Sequence, residues 1–191
     1  YALMSAKGLK TVADLRGKTI GITGIGGMGE FTVVESLRRN GLIKDRDFTV
    51  LNIEGGPAAR IAALKSGKVH AVPLTPGQRV QAEQDGFTLL LDTRDTLSEI
   101  PSTIVASTRE FASSNPDKVV RYLRAIAKAM ELIRRDKDKA IALGRSHGLR
   151  GDSTIERKAL DYYADDLDVR LKRENISALL NQLEIAETPQ K

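Results

Sequence analysis

Short apolar runs alternate with amphipathic stretches through the first half of the chain, and glycine or proline stands at nearly every junction between them. This alternation limits the fold more than any other feature. Thr19-Ile20-Gly21-Ile22 reads as a strand between a turn at Gly17 and a glycine cluster that begins at Gly24. Phe31, Val34 and Leu37 then recur at helical spacing, with Gly41 placed to end that helix. Residues 48–53 form a second β-rich run. Pro57 follows where a first helical residue would stand, Ile61 and Leu64 share a face, and Gly67 is the stop. Residues 69–74 read as a third strand, with a short helix over 77–84. Residues 88–91 and 103–106 read as further strands, and Leu3-Met4-Ser5 as an edge strand. The pattern predicts an α/β fold, a mainly parallel sheet with helices on both faces.

The character changes near residue 109. Asn115-Pro116 predicts a helix start, with Asn as the cap and Pro in the first turn. Val119, Leu123, Ile126, Met130 and Ile133 continue it as an amphipathic helix to about Arg135, where basic side chains suit the negative end. Further helices are expected over 137–146, 153–165 and 174–186. The domain reading is therefore an α/β part over 1–108 and a helical segment over 109–191, without internal repeats.

Composition removes several functions. Apolar residues make up 41% of the 191, enough for a sizeable core. No apolar run approaches the roughly 20 residues of a membrane span, so a membrane-spanning chain is not expected. The net charge of +5 is mild and aromatics are only 4%, without the basic–aromatic interleaving of a nucleic-acid surface. The absence of Cys excludes disulfides and thiolate chemistry, and His70 and His147 are too few and too far apart to suggest a metal site. No Ser-His-Asp arrangement or nucleophile elbow is present. Asp136-Asp138 and Asp165-Asp166-Asp168 lie in charged helical surroundings that read as solvated faces. No cofactor is implied.

The most informative segment is Gly24-Ile25-Gly26-Gly27-Met28-Gly29, which satisfies G-x-G-x-x-G between a strand and a helix, with Glu54 at the end of the next strand. Such a loop brings backbone N–H groups at a helix N-terminus close to a ligand. An NAD-dependent oxidoreductase cofactor domain is one reading of it. Against it, Gly55-Gly56-Pro57 opens another helix directly after Glu54, and residues 55–135 find no place in such a domain.

The longer context resembles a different family. Residues 8–21, the helix closing on Asn40-Gly41-Leu42, the run 62–72, Glu110-Phe111 and Asn115-Pro116-Asp117-Lys118-Val119 follow in the order seen in substrate-binding proteins of ABC importers. The branch is the one handling nitrate, sulfonates, taurine and thiamine-precursor pyrimidines. His70 departs from the pattern, standing where members often carry Asp. One eukaryotic branch of the superfamily makes the thiamine pyrimidine from its own histidine, but neither His70 nor His147 sits in a motif supporting that role.

The resemblance implies the second lobe of a type II periplasmic binding protein followed by a helical C-terminal segment. No enzymatic activity is implied. The first lobe, which would supply the facing wall of the cleft, is expected to be missing ahead of Tyr1. The implied function is capture of a small solute and its delivery to an ABC permease, in the periplasm or tethered outside the cell membrane. The implied site lies on loops at the carboxyl ends of strands: Gly26, Gly27, Met28 and Gly29; Gly56 and Pro57; Thr75 and Gln78. Glu30 would repel an anion at the first loop unless it turns away or meets an amine, and Arg60 and Arg79 stand where they could pair with an anion.

Overall fold

The computed structural model describes residues 1–101 and 103–187. The chain divides into two compact units, Tyr1–Ser98 and Glu99–Lys191.

The first unit is built on a five-stranded sheet: β1 (Ala2–Ser5), β2 (Lys18–Ile22), β3 (Phe48–Asn52), β4 (Ala71–Leu74) and β5 (Thr88–Asp92), in the order β3-β2-β4-β1-β5. β2 runs parallel to β3 and β4, whereas β1 lies antiparallel to both β4 and β5. The connecting helices are α1 (Met28–Arg39), α2 (Gly56–Lys65), α3 (Pro76–Gln84) and a one-turn α4 (Arg94–Leu97). The expected α/β class and the mainly parallel sheet are what the structure shows.

Two apolar layers sandwich the sheet. On one face Ala2, Met4, Val72 and Leu74 pack with Ala63 and Leu64 of α2 and Ala82 of α3. On the other, Leu3, Ile20, Phe48 and Ala71 pack with Val33 and Leu37 of α1. Residues alternate between faces with period two, so β1 and β4 are buried from both sides.

β1 is therefore a correction. Leu3-Met4-Ser5 is not an edge strand: it lies between β4 and β5. Ala2 to Met4 is apolar at every position, the pattern of a strand covered on both faces, whereas an edge facing water would alternate. Residues 103–106 are a second correction, being irregular rather than a strand. Ile104 and Val105 are exposed. Their β-branched side chains favour extended backbone, but among the described residues no sheet edge pairs with them.

α1 packs differently from its expected stripe. Val33 and Leu37 are buried, Val34 partly, and Phe31 is only half-covered, while Thr32, Glu35 and Ser36 are buried polar groups. The unexpected α4 accounts for part of this. Ser36 Oγ and Thr96 Oγ1 are 2.9 Å apart, and Arg39 donates to the Thr96 carbonyl.

His70 is half-buried and has a structural role. Its N–H donates to the Thr19 carbonyl (2.8 Å), its Nδ1 accepts from the Thr19 N–H (3.3 Å), and its carbonyl accepts from Ala6 N–H (2.8 Å). It joins β4 to both neighbouring strands.

In the second unit, α5 (Arg109–Ser114), α6 (Pro116–Arg135), α7 (Lys137–Ser146), α8 (Ser153–Tyr163) and α9 (Arg173–Glu187) follow one another. A 3₁₀ turn at Ala164–Asp166 ends the stretch expected as helix to 165. Asp136 and Asp152 cap α7 and α8 by accepting N–H groups of the first turn. Asn115 does not cap α6 through its side chain; its Nδ2 donates to the Phe111 carbonyl at the end of α5, 3.2 Å away. Two helices meet at this residue, and the amide serves the exposed carbonyl of the first.

Gly21 marks the tightest approach in the sheet. A Cβ there would lie 3.0 Å from Val69 Cγ2, 3.1 Å from Val72 Cγ1 and 3.2 Å from Ile53 Cγ1. Gly21→Val should therefore destabilise the fold by about 1–3 kcal/mol through overpacking, read as a lowered midpoint in urea denaturation. An unchanged midpoint would show that the layer has slack.

Candidate functional site

In an open α/β sheet, ligands bind beyond the carboxyl ends of the strands. β2, β4 and β3 are neighbours, so the loops leaving them share one edge of the sheet. All the sequence-predicted site residues lie on these loops or in the first turns of the helices they open.

The loop after β2 uses glycine where the backbone turns left-handed, at Gly24 (φ +77) and Gly26 (φ +78), and Gly27 becomes the N-cap of α1. Several of its amides are already committed. Gly24 N–H donates to Asn52 Oδ1 (3.0 Å), Gly26 N–H to Glu30 Oε2 (2.7 Å) and Gly27 N–H to the Gly24 carbonyl (3.2 Å). Met28 and Gly29 keep uncommitted amides among the described residues. At the loop tip Ile25 is 75% exposed, an apolar group offered to whatever meets this edge.

Glu30 neither turns away from the loop nor waits for an amine. Its carboxylate folds back onto the Gly26 amide, while Lys44 Nζ closes on its other oxygen at 2.6 Å. Burial alone would raise its pKa, but the Lys44 and Gly26 hydrogen bonds and the Lys44 charge outweigh this and hold it below the usual carboxylate range. A protein carboxylate thus occupies an amide of the helix entrance where a dinucleotide reading would seat a pyrophosphate.

The loop after β3 turns through Gly55 (φ +92) and Gly56 (φ +74) into α2, with Pro57 as the second helical residue, where a missing N–H costs nothing. Glu54 is exposed on this loop. After β4, Thr75 is the N-cap of α3 in a capping box in which Thr75 N–H donates to Gln78 Oε1 (3.1 Å). Gln78 Oε1 is therefore engaged in starting the helix.

The two candidate arginines part company. Arg79 is held by Glu83 (2.7 Å) and Asp92 (3.0 Å) and is not a free cation. Arg60 is buried, at 8% exposure, and among the described residues no carboxylate pairs with it. Its Nη1 donates to Thr23 Oγ1, which in turn donates to the Ile53 carbonyl at 3.2 Å. Its Nε is buried without a partner, and burial lowers the pKa of its guanidinium. Thr23, Ile25 and Asn52 escaped the sequence reading; the only signal for them was their position at the ends of β2 and β3.

The other candidates are accounted for by local structure. His147 closes α7, its Nδ1 3.0 Å from both Ser146 Oγ and the Leu143 carbonyl. Asp168 is held by the Arg170 side chain and N–H, which push its pKa down to about 2. Among the described residues no cluster of His, Asp or Glu could hold a metal ion, and no helix is long and apolar enough to cross a membrane.

The sheet thus holds an antiparallel strand in its interior and three helix-opening loops at one shared carboxyl edge. The family profile described as NMT1/THI5 like matches residues 1–140, and the chain belongs to that family. It stands in the nitrate, sulfonate and thiamine-precursor branch of substrate-binding proteins. Solved structures share the fold. The alkanesulfonate-binding protein SsuA from Xanthomonas axonopodis pv. citri, bound to MOPS, superposes with a TM-score of 0.71 at 22% identity, covering 96% of this chain and 62% of that one. The periplasmic aliphatic sulphonate binding protein SsuA from Escherichia coli gives 0.71 at 22%, covering 100% and 65%. The ligand-binding component of an ABC-type import system from Staphylococcus aureus, with zinc bound, gives 0.64 at 16%, covering 98% and 65%. The chain thus spans less than two thirds of these proteins. No curated protein matches it in sequence. The NAD-dependent reading is overturned by the family and by the interior antiparallel strand.

Two outcomes follow from Glu30. Because its folded pKa is depressed, its stabilisation is present above the ordinary carboxylate pKa and is lost as pH falls through the folded value. Glu30→Gln should cost about 2 kcal/mol at pH 7, with the gap to wild type closing in urea titrations as the pH falls below the usual carboxylate range; a gap independent of pH refutes the pairing. Calorimetry should also show no heat of NAD binding at about 1 mM, a concentration that detects affinities as weak as ~4 kcal/mol.

Proposed function

We propose that the protein is the extracytoplasmic solute-binding component of an ABC importer. It captures a small solute of the sulfonate, nitrate, taurine or pyrimidine kind and delivers it to the permease. The observation that carries this reading is the convergence of three helix-opening loops, after β2, β3 and β4, on one sheet edge in a chain of this family. The solute meets the exposed tip at Ile25, the free amides of Met28 and Gly29, and the turns at Gly56-Pro57 and Thr75-Gln78. Gly26 and Gly27 shape the first loop while their own amides are spent internally.

In this reading residues 1–108 are the second lobe of a two-lobe protein and 109–191 its helical C-terminal segment. Binding closes the lobes about a hinge, and the closed form is what the permease recognises. The pre-formed loops support such a role, since a rigid edge loses little entropy when the solute arrives. The compartment is the periplasm or the outer face of the cell membrane.

A thermal-shift panel of small sulfonates, nitrate, carboxylates, amines and pyrimidines tests the reading. One class should raise the melting temperature in a saturable way, and about 100-fold excess over Kd corresponds to roughly 2.7 kcal/mol of added stability. Silence across every class would remove the solute-binding reading.

A further inference from the structure

Seven arginines lie in the first unit, and six of them are paired with carboxylates. Arg16 meets Asp47, Arg38 and Arg39 meet Glu35, Arg46 meets Asp47, Arg79 meets Glu83 and Asp92, and Arg94 meets Asp92. Arg60 is the exception among the described residues, and it is buried to more than nine-tenths. Its guanidinium has five N–H donors, of which one has an acceptor here, the Thr23 hydroxyl; the buried Nε has none.

An unpaired buried cation is costly, and folds seldom keep one without a partner. Its place gives it a purpose. Thr23 follows the last residue of β2 and is itself exposed, as are Gly24, Ile25 and Gly26 beyond it. The guanidinium therefore lies at the carboxyl edge, directly beneath the loop that the solute reaches. The helix entrance of α1 has its own resident carboxylate in Glu30, already neutralised by Lys44. α2 brings the buried Arg60 cation to this edge, and the exposed Glu54 on the loop ahead of it brings a carboxylate.

We infer that Arg60 is the charge-recognising element of the site and that the solute is an organic anion, whose carboxylate or sulfonate oxygens complete the donor set of the guanidinium. The inference rests on the solute-binding reading above. Thr23 then has two roles: it orients the guanidinium by accepting from Nη1, and it ties that geometry to β3 through the Ile53 carbonyl. A planar fork of donors matches two oxygens of a carboxylate or sulfonate, whereas a Lys ammonium would supply only a point charge. Glu30 takes no part in recognising the solute; it holds Gly26 in place.

The test uses two matched pairs of probes, butanesulfonate with butanesulfonamide and hexanoate with hexanamide, against the wild-type protein, Arg60→Gln, Arg60→Lys and Thr23→Val. Calorimetry should show the wild type preferring one anion over its neutral partner by at least about tenfold. Arg60→Gln should abolish that preference, and Arg60→Lys should restore only part of it. Thr23→Val should weaken anion binding by about tenfold while leaving the neutral partner unaffected. The Arg60 Nε–H resonance should shift on titration with the preferred anion.

Melting temperatures of the unliganded variants separate this from a structural role. Arg60→Gln should melt no lower than wild type, because it removes an uncompensated charge; a marked fall would make the guanidinium part of the scaffold and overturn the inference. Unchanged anion affinity in Arg60→Gln would overturn it as well. Should an uncharged or cationic member of the wider panel bind while no anion does, the Arg60 inference fails and the solute-binding reading stands; if nothing in any class binds, both fail.

Discussion

The pairing of β1 between β4 and β5 is the constraint on which the rest of the first unit depends. Without it, β5 has no neighbour and the sheet ends at β4. Four residues, Ala2 to Ser5, supply hydrogen-bonding partners on two sides and apolar side chains to two layers. Met4 packs toward α2 and α3 while Leu3 packs toward α1, so a one-residue slip would exchange the layers and bury neither set well. The register of this short strand therefore aligns β4, from which the loop at Thr75 departs, with β5, which carries the Asp92 that fixes Arg79.

Charge on the carboxyl edge is divided by the same packing. Arg79 and Asp92 neutralise one another between α3 and β5, and Glu30 is neutralised by Lys44 beside α1. These pairs are local and brace the loops from below. Arg60 alone is tied to a neutral hydroxyl. The edge thus presents shaped backbone, one exposed aliphatic tip at Ile25, the buried Arg60 guanidinium and the exposed Glu54 carboxylate.

Local signals were legible in the sequence and non-local ones were not. Gly24 to Gly29, the Gly-Gly-Pro turn into α2 and the long helix from Pro116 announce themselves through residues that only certain backbones accept. The parallel sheet followed from the alternation of periods two and 3.6. What failed was partnership. Leu3-Met4-Ser5 and residues 103–106 both favour extended backbone, yet one finds two neighbours and the other none, a matter of which strand ends meet in space. α4 is too short to leave a periodic trace, so nothing in the sequence marked the polar face it covers on α1. At the site the candidate loops were visible from their glycines. The commitments of individual groups were not: Glu30 reaches Lys44 fourteen residues on, Arg79 reaches Asp92 on another strand, and Asn115 turns toward the helix before it.

β1 runs against the parallel strands, and Ala2 lies opposite both Leu74 and Asp92, the last residues of β4 and β5. The Thr93 N–H donates to the Tyr1 carbonyl at 2.9 Å. The α/β unit is therefore entered and left at neighbouring points, both on the edge that carries the candidate site. Topologically it is a module hung from two adjacent strands, and inserting it into another chain would need only a short span between the cut ends.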